Sequence, residues 1–491
     1  MHKFLLTAAL GAGLLAAPAL PALAADESRP GLTVCRLQGV EHGALCGSVR
    51  RPLDPAAPGG TQIDVHFAVL PALARNRKPD PVFFLAGGPG QSAIEVTGRV
   101  AALLGRLSNR RDIVLIDQRG TGRSAPLVCD EANPTQALAD AVDPARMLAR
   151  LTACRTRLQQ LPYGDLRHYT PVVAMQDVDA VRRQLGAARV NLVGGSYGTR
   201  AALELLRQFP QAVRRVVLDG VVPPDMVLPA AFSTDNQSAL DALFDGCAAE
   251  PACAARYPGL RADWRSLLAT LPREIEVAHP VTGEAQRLTL TRDALLGLVR
   301  TPLYVPALAS ALPLAVHEAA RGRYAPLVGL ATALSGGRTG VLAEGMHFSV
   351  VCAEDAPRLA QAVDAPGADF GSAFADLYRQ VCAGWPRGAV PAAFYTLPVA
   401  PVATLVLSGG ADPATPPRHG ERVTRALGAK AWHVVVPAAG HGVMGLGCLR
   451  DAVFRFIDAD GDDEALRVDA ECARGIPRPP AFLPVAAEAP K

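Results

Sequence analysis

The feature that most narrows the folds open to this chain is a five-residue turn, Gly194-Gly195-Ser196-Tyr197-Gly198, between an apolar run and a helical one. Val190 to Val193 has the length and β-branched character of a buried strand, and Arg200 to Gln208 reads as a helix that ends before Pro210. A strand passing so abruptly into a helix strains the backbone of the central residue and lifts the Ser196 hydroxyl clear of the sheet. Gly194 and Gly198 are expected to be small because side chains there would collide across the turn. A free hydroxyl is a poor nucleophile at neutral pH, so a serine in this position needs an adjacent base. The string alone could be an ordinary glycine-rich turn; the strand before it and the helix after it favour a nucleophile.

Other short apolar runs repeat the strand signal: Ile63 to Val69, Val82 to Leu85, Ile113 to Ile116, Val216 to Leu218, Thr404 to Leu407 and His433 to Val436. Thr170-Pro171 reads as an N-cap and first-turn proline, and Val178, Val181 and Leu185 share a helical face before Gly186. Strand, helix, strand in repeated order predicts an α/β layer fold with a mostly parallel central sheet and helices on both faces. Between about Met226 and Val399 leucine spacing turns helical, as in Ala239 to Phe244, Trp264 to Leu271, Asp293 to Val299 and Ala373 to Val381. Strand signals then resume, so the expected organisation is a core over 25–225 and 400–491 interrupted by a mainly helical cap over 226–399. At 491 residues, with 49% apolar and 19% charged, the chain has material for a large core. Its net charge of +3 is spread without a basic block, which argues against nucleic acid as a partner.

Residues 1–24 read as a cleaved export signal: Lys3, the apolar run Phe4 to Leu20, then Ala22-Leu23-Ala24. Gly11, Gly13, Pro18 and Pro21 within or beside that run weigh against a membrane anchor, and an exported, periplasmic or extracellular protein is expected. All ten cysteines follow the signal, so disulfides are the default. Spacing favours neighbours, Cys35 with Cys46, Cys129 with Cys154, Cys247 with Cys253, Cys352 with Cys382 and Cys448 with Cys472, although sequence does not fix connectivity. No Cys-x-x-Cys or His-Glu-x-x-His pattern points to zinc. Asp458, Asp460 and Asp462 alternate like calcium ligands but lack the glycine and closing Glu positions, and read as a solvated turn. Neither a metal nor a cofactor is expected.

Leu85-Ala86-Gly87-Gly88-Pro89-Gly90 leaves a strand with almost no side-chain bulk, which lets backbone N–H groups approach a substrate oxygen. Pro89 has no N–H, so Gly88 and Tyr197 are the expected oxyanion donors. A tight turn is the bland alternative, and phosphate binding lacks its Gly-Lys-Ser/Thr ending. Of the histidines after the cap, His433 lies inside a strand run and His419 in a Pro-Arg-His-Gly helix start, whereas His441 follows a strand in a loop of small residues. His441 is the expected base. Asp412, directly after the Thr404 to Leu407 strand, is the expected orienting acid, with Asp219 the competitor; both preserve the chain order Ser, Asp, His. The Asp117 to Ser124 loop reads as a brace for the oxyanion side rather than as a catalytic element.

Taken together, Gly87-Gly88-Pro89-Gly90, Asp117-Gln118-Arg119-Gly120-Thr121-Gly122-Arg123-Ser124, Gly194-Gly195-Ser196-Tyr197-Gly198, Val217-Leu218-Asp219-Gly220, Gly410-Ala411-Asp412 and Gly440-His441-Gly442 resemble the secreted α/β-hydrolases of the proline iminopeptidase and tripeptidyl aminopeptidase type. The resemblance implies the α/β-hydrolase fold, a helical cap over the site, and a serine exopeptidase that acts from a peptide's free N-terminus. Ala86 stands where proline iminopeptidases typically carry His, so strict prolyl specificity is not implied. The resemblance also implies acidic groups that hold the substrate's α-ammonium, with Glu354 first and Asp355 second, a solvated acidic turn being the alternative. The same machinery would serve an ester or amide, and an inactive binding protein is a third reading. Haloalkane dehalogenase and epoxide hydrolase chemistries need an Asp where Ser196 stands.

Overall fold

The computed structural model describes residues 31–129, 135–333, 342–397 and 402–484. The expected signal and the boundaries at 24/25 and 399/400 lie outside the described residues. Eleven strands are present among them: β1 (Thr33–Cys35), β2 (Ala44–Pro52), β3 (Gln62–Leu70), β4 (Val82–Leu85), β5 (Ile113–Ile116), β6 (Val190–Gly195), β7 (Val213–Asp219), β8 (Arg273–Ala278), β9 (Ala285–Leu290), β10 (Thr404–Gly409) and β11 (Ala431–Val436). Nine form one sheet in the order β1-β2-β3-β5-β4-β6-β7-β10-β11. From β5 across to β11 every pair is parallel, and β1, β2 and β3 extend the edge antiparallel.

The parallel strands are apolar throughout because both faces are covered. Side chains alternate across a strand, so Phe83 and Leu85 join one core with Leu192, Val216 and Leu218, while Val82 and Phe84 join another with Val193, Val217 and Leu405. The first core packs on the helices Pro171–Gln184 and Tyr197–Gln208, the second on Thr97–Leu104 and Leu449–Asp458. This is the expected layered sheet.

Between β7 and β10 the chain is mostly helical, and the leucine-spaced runs fall in Leu228–Ala249, Leu260–Ala269, Arg292–Leu303 and Ala373–Ala383. A third core, including Leu240, Trp264, Leu295 and Val299, belongs to this region. It also holds an antiparallel hairpin, β8 with β9, which the helical reading does not contain. Only Ile275 and Val277 of β8 and Leu288 and Leu290 of β9 are buried, a period of two supported by few apolar residues. No helix among the described residues is long and apolar enough to cross a membrane.

All ten cysteines are paired with their neighbours in sequence, and Cys352–Cys382 ties the helix Glu344–Glu354 to Ala373–Ala383. Asp458 differs from the solvated-turn expectation, since it accepts hydrogen bonds from the buried Arg111 (2.5 Å) and from Lys78 (2.9 Å). The Asp117–Ser124 loop is braced in the same way. Fully buried Arg119 grips both oxygens of Asp177 at 2.7 and 3.0 Å and donates to the carbonyls of Leu53 and His168. Removing one partner of such a pair strands the other charge in the interior. Arg119→Ala is therefore expected to lower stability by about 3 kcal/mol in denaturant titration, and a loss within error of zero would contradict this role.

Candidate active site

Ser196 sits at φ 54° and ψ −126°, a conformation that costs a non-glycine residue about 1–3 kcal/mol. The surroundings hold it there. Its N–H donates to the Asp219 carbonyl at 2.8 Å, and its own carbonyl accepts from the Thr199 N–H (2.9 Å) and hydroxyl (2.6 Å). A Cβ at Gly194 would lie 2.5 Å from the Gly198 carbonyl oxygen, the collision across the turn that the sequence suggests. At Gly198 the obstacle is different: a Cβ would lie 2.0 Å from the carbonyl oxygen of Leu85, so this glycine lets the helix start against the end of β4. The Ser196 side chain is partly exposed, and its hydroxyl makes no hydrogen bond among the described residues.

The loop after β4 lies over this serine. A Cβ at Gly87 would be 3.0 Å from that of Ser196, and Gly88, at φ 109°, follows it. Tyr197 is the first residue of its helix, so its N–H has no intrahelical acceptor. Gly88 therefore follows the glycine that packs on Ser196, and Tyr197 follows Ser196 itself, on two different elements. Asp117, at the end of β5, accepts from Ser92 Oγ (2.6 Å), Ile94 N (3.1 Å) and Arg123 N (3.2 Å), fixing the chain just beyond this loop.

Asp412 and His441 are in contact. His441 Nδ1 lies 2.8 Å from Asp412 Oδ2, while Asp412 also accepts from the N–H groups of Ala414 (2.8 Å) and Thr415 (2.9 Å) and from the Thr415 hydroxyl (2.7 Å). Burial alone would discharge both groups. The attraction and hydrogen bond between them, with the backbone donors to Asp412, outweigh it, so the carboxyl is held below its ordinary range and the imidazole above its own. Asp219 takes another part: its carboxylate accepts from the N–H groups of Val443 (2.9 and 3.1 Å) and Met444 (2.9 Å), clamping the chain after His441. Gly220, at φ 70°, leaves room for the imidazole, since a Cβ there would lie 3.2 Å from His441 Cε1. His441 and Ser196 therefore flank Asp219-Gly220. They share no hydrogen bond among the described residues. His419 is instead buried against Asp235 at 2.8 Å, and His433 contacts Ser408 Oγ at 2.9 Å.

Glu354 and Asp355 are placed differently from the substrate-amine role that the resemblance implies. Both are fully buried, and Arg200 Nη1 donates to Glu354 at 2.8 Å and to Asp355 at 3.2 Å. The Tyr197 hydroxyl adds a bond to Glu354 at 3.2 Å, and Leu228 N one to Asp355 at 3.3 Å. Burial pushes both carboxyls up against the opposing pull of Arg200. The charge an ammonium would need is already engaged, and neither a solvated turn nor an open acidic subsite describes the pair.

Sequence reasoning missed three further contributors. Tyr304 accepts the His441 N–H on its carbonyl at 3.0 Å and stacks edge-on against the imidazole, centroids 5.3 Å apart. Thr415 also approaches His441 Nδ1, at 3.1 Å. Buried His347 donates from Nδ1 to the Pro89 carbonyl at 3.2 Å and accepts from the Tyr378 hydroxyl at 2.7 Å. Burial lowers its pKa to about 4, so it is neutral near pH 7. Only Thr415, three residues after Asp412, carried a local signal. No group of three or more His, Cys, Asp or Glu among the described residues could hold a metal ion.

Comparison with known proteins adds a family to this geometry. Residues 80–446 match the family described as alpha/beta hydrolase fold. The chain is 28% identical over 415 residues to serine protease Hip1 of Mycobacterium tuberculosis, covering 78% of each chain. It is 32% identical over 194 residues to a tripeptidyl aminopeptidase of Streptomyces lividans, covering 36% of this chain and 35% of that one. It is also 29% identical over 425 residues to carboxylesterase B of Mycobacterium tuberculosis, covering 79% and 78% respectively. The match over most of the chain, on a sheet of this topology, shows that the protein belongs to the α/β-hydrolase fold family and is a hydrolytic enzyme of that class.

Proposed function

We propose that this chain is an exported serine peptidase that releases single residues or short segments from the free N-terminus of peptides through an acyl-enzyme on Ser196. The observation that carries the serine chemistry is a partly exposed Ser196, at φ 54° and with its hydroxyl unbonded among the described residues, across Asp219-Gly220 from a base oriented by a buried carboxylate. Ser196 Oγ attacks the scissile carbonyl as His441 Nε2 takes its proton. Asp412 holds Nδ1–H and stabilises the imidazolium, and the N–H groups of Gly88 and Tyr197 receive the oxyanion. His441 then protonates the leaving amine and activates the water that releases the acyl group. No cofactor takes part.

Peptide cleavage is supported by the motif resemblance and by the names of two relatives, a serine protease and a tripeptidyl aminopeptidase. Five disulfides support export. The relative named carboxylesterase B favours a second reading in which the same machinery opens an ester or amide.

A panel of aminoacyl and tripeptidyl reporter amides, with matched esters and N-blocked versions, separates the two. Cleavage of free-amine amides, reduced on the order of 10⁴-fold or more in Ser196→Ala, is expected, whereas cleavage of esters alone would move the assignment to an esterase. The dyad also fixes a pH dependence. His441 must be neutral to accept a proton, and Asp412 holds its pKa above the ordinary 6.5. The acid limb of kcat/KM is therefore expected above pH 6.5 in the wild type. In Asp412→Asn it should move to lower pH while kcat falls on the order of 10³- to 10⁴-fold. An unmoved limb in the pH–rate profile would contradict the assigned pairing.

A further inference from the structure

The fully buried arginines among the described residues have their charges answered. Arg111 meets Asp80 and Asp458, Arg119 meets Asp177, Arg200 meets Glu354 and Asp355, and Arg215 donates to the carbonyls of Phe456, Ala459 and Gly461 at 2.5, 2.7 and 2.8 Å. Arg300 differs. It is half-buried, its one hydrogen bond runs from Nη2 to the Tyr304 hydroxyl at 3.2 Å, its Nε, like those of Arg200 and Arg215, is buried without a partner, and no carboxylate among the described residues pairs with it. Three rings surround the guanidinium instead, with centroids 4.9 Å away for Phe374, 5.4 Å for Phe232 and 5.7 Å for Tyr304. Cation–π contact offsets part of the desolvation of such a charge but does not neutralise it.

Its place in the fold gives that charge a use. On one side Tyr304 separates Arg300 from the His441 ring by a single aromatic layer. On the other, Phe374 packs on Tyr378 at 4.9 Å, whose hydroxyl bonds His347, which in turn reaches the carbonyl of Pro89 in the loop over Ser196. Arg300 thus stands in a continuous wall between the base and the oxyanion loop. Among the described residues named in that wall it alone carries a formal charge, since buried His347 is neutral near pH 7. The carboxylates whose fields reach these residues are held elsewhere, Glu344 by Arg150 at 2.6 and 2.7 Å and Asp355 by Arg200. A planar guanidinium is suited to take a carboxylate on two parallel N–H bonds.

We propose that Arg300 is the subsite for a substrate carboxylate, a specificity residue that selects peptides carrying a negative charge close to the bond cut. The proposal rests on Ser196 being the nucleophile and assigns the substrate class of that same site. An ammonium is disfavoured at this wall, so a free N-terminus would be accommodated away from it. The carboxylate has two sources, an Asp or Glu side chain or the C-terminus of a short peptide.

The test measures kcat/KM for peptides that differ only in Glu against Gln beside the scissile bond, and for the same peptides with free or amidated C-termini, in wild type, Arg300→Gln and Arg300→Lys. Wild type should prefer the charged member at least 10-fold in one arm, which names the source. That ratio should fall towards one in Arg300→Gln and lie between in Arg300→Lys, with KM carrying the change. Equal rates for charged and neutral members in wild type would overturn the proposal without any variant having to fold, as would a preference that survives Arg300→Gln. If the peptides are not turned over, their protection of Ser196 from a fluorophosphonate is compared. Better protection by the charged member supports the subsite and equal protection rejects it, whereas failure of Ser196 to label in the folded protein removes the nucleophile reading and the proposal with it.

Discussion

The backbone of Ser196 rests where an ordinary residue does not rest unaided, and much of the molecule serves to hold it there. Glycines at 194 and 198 remove the atoms that would collide, one across the turn and one against the end of β4. The carbonyl of Asp219, at the end of β7, captures the serine's N–H. These contacts require β4, β6 and β7 to lie parallel and in register, which requires apolar residues on both faces of each strand and helices covering both layers. Their carboxyl ends then carry the Gly87–Gly90 loop, Ser196 and Asp219 to the same rim, and β10 and β11 bring Asp412 and His441.

The mostly helical stretch between β7 and β10 does more than cover this rim. Its Tyr304 carbonyl receives the N–H of His441, and its His347 and Ala343 bond the carbonyls of Pro89 and Gly90. Glu354 and Asp355 anchor it to Arg200 on the helix that begins beside Ser196. Positioning of the base and of the oxyanion loop is therefore shared between the sheet and the inserted stretch. Burying that ionic cluster is costly unless every partner is present, which makes loss of one member more damaging than its net contribution suggests.

What the sequence disclosed and what it withheld divide along a physical line. The strand, the turn and the helix around Ser196 are local signals, each read within a dozen residues, and the order of apolar runs was enough to imply the layered sheet. Asp412 and His441 were legible because each follows a strand in a loop of small residues. Glu354 and Asp355 were visible as acids, yet their partner Arg200 lies more than 150 positions away, and nothing local reveals that the fold buries all three together. Tyr304 acts through its backbone carbonyl, which no side-chain pattern announces, and Arg300 is distinctive only for the carboxylate it lacks. The β8–β9 hairpin rests on two buried residues per strand, too few to stand out among helical leucines.

The most direct test of this account is the mass of the intact protein when turnover of an activated ester reporter is stopped by acid. A gain equal to the acyl group, mapped by fragmentation to the peptide containing Ser196, is the predicted result. An acyl group on another residue, or turnover without any covalent species in wild type and in a variant whose deacylation has been slowed, would contradict a nucleophile at Ser196.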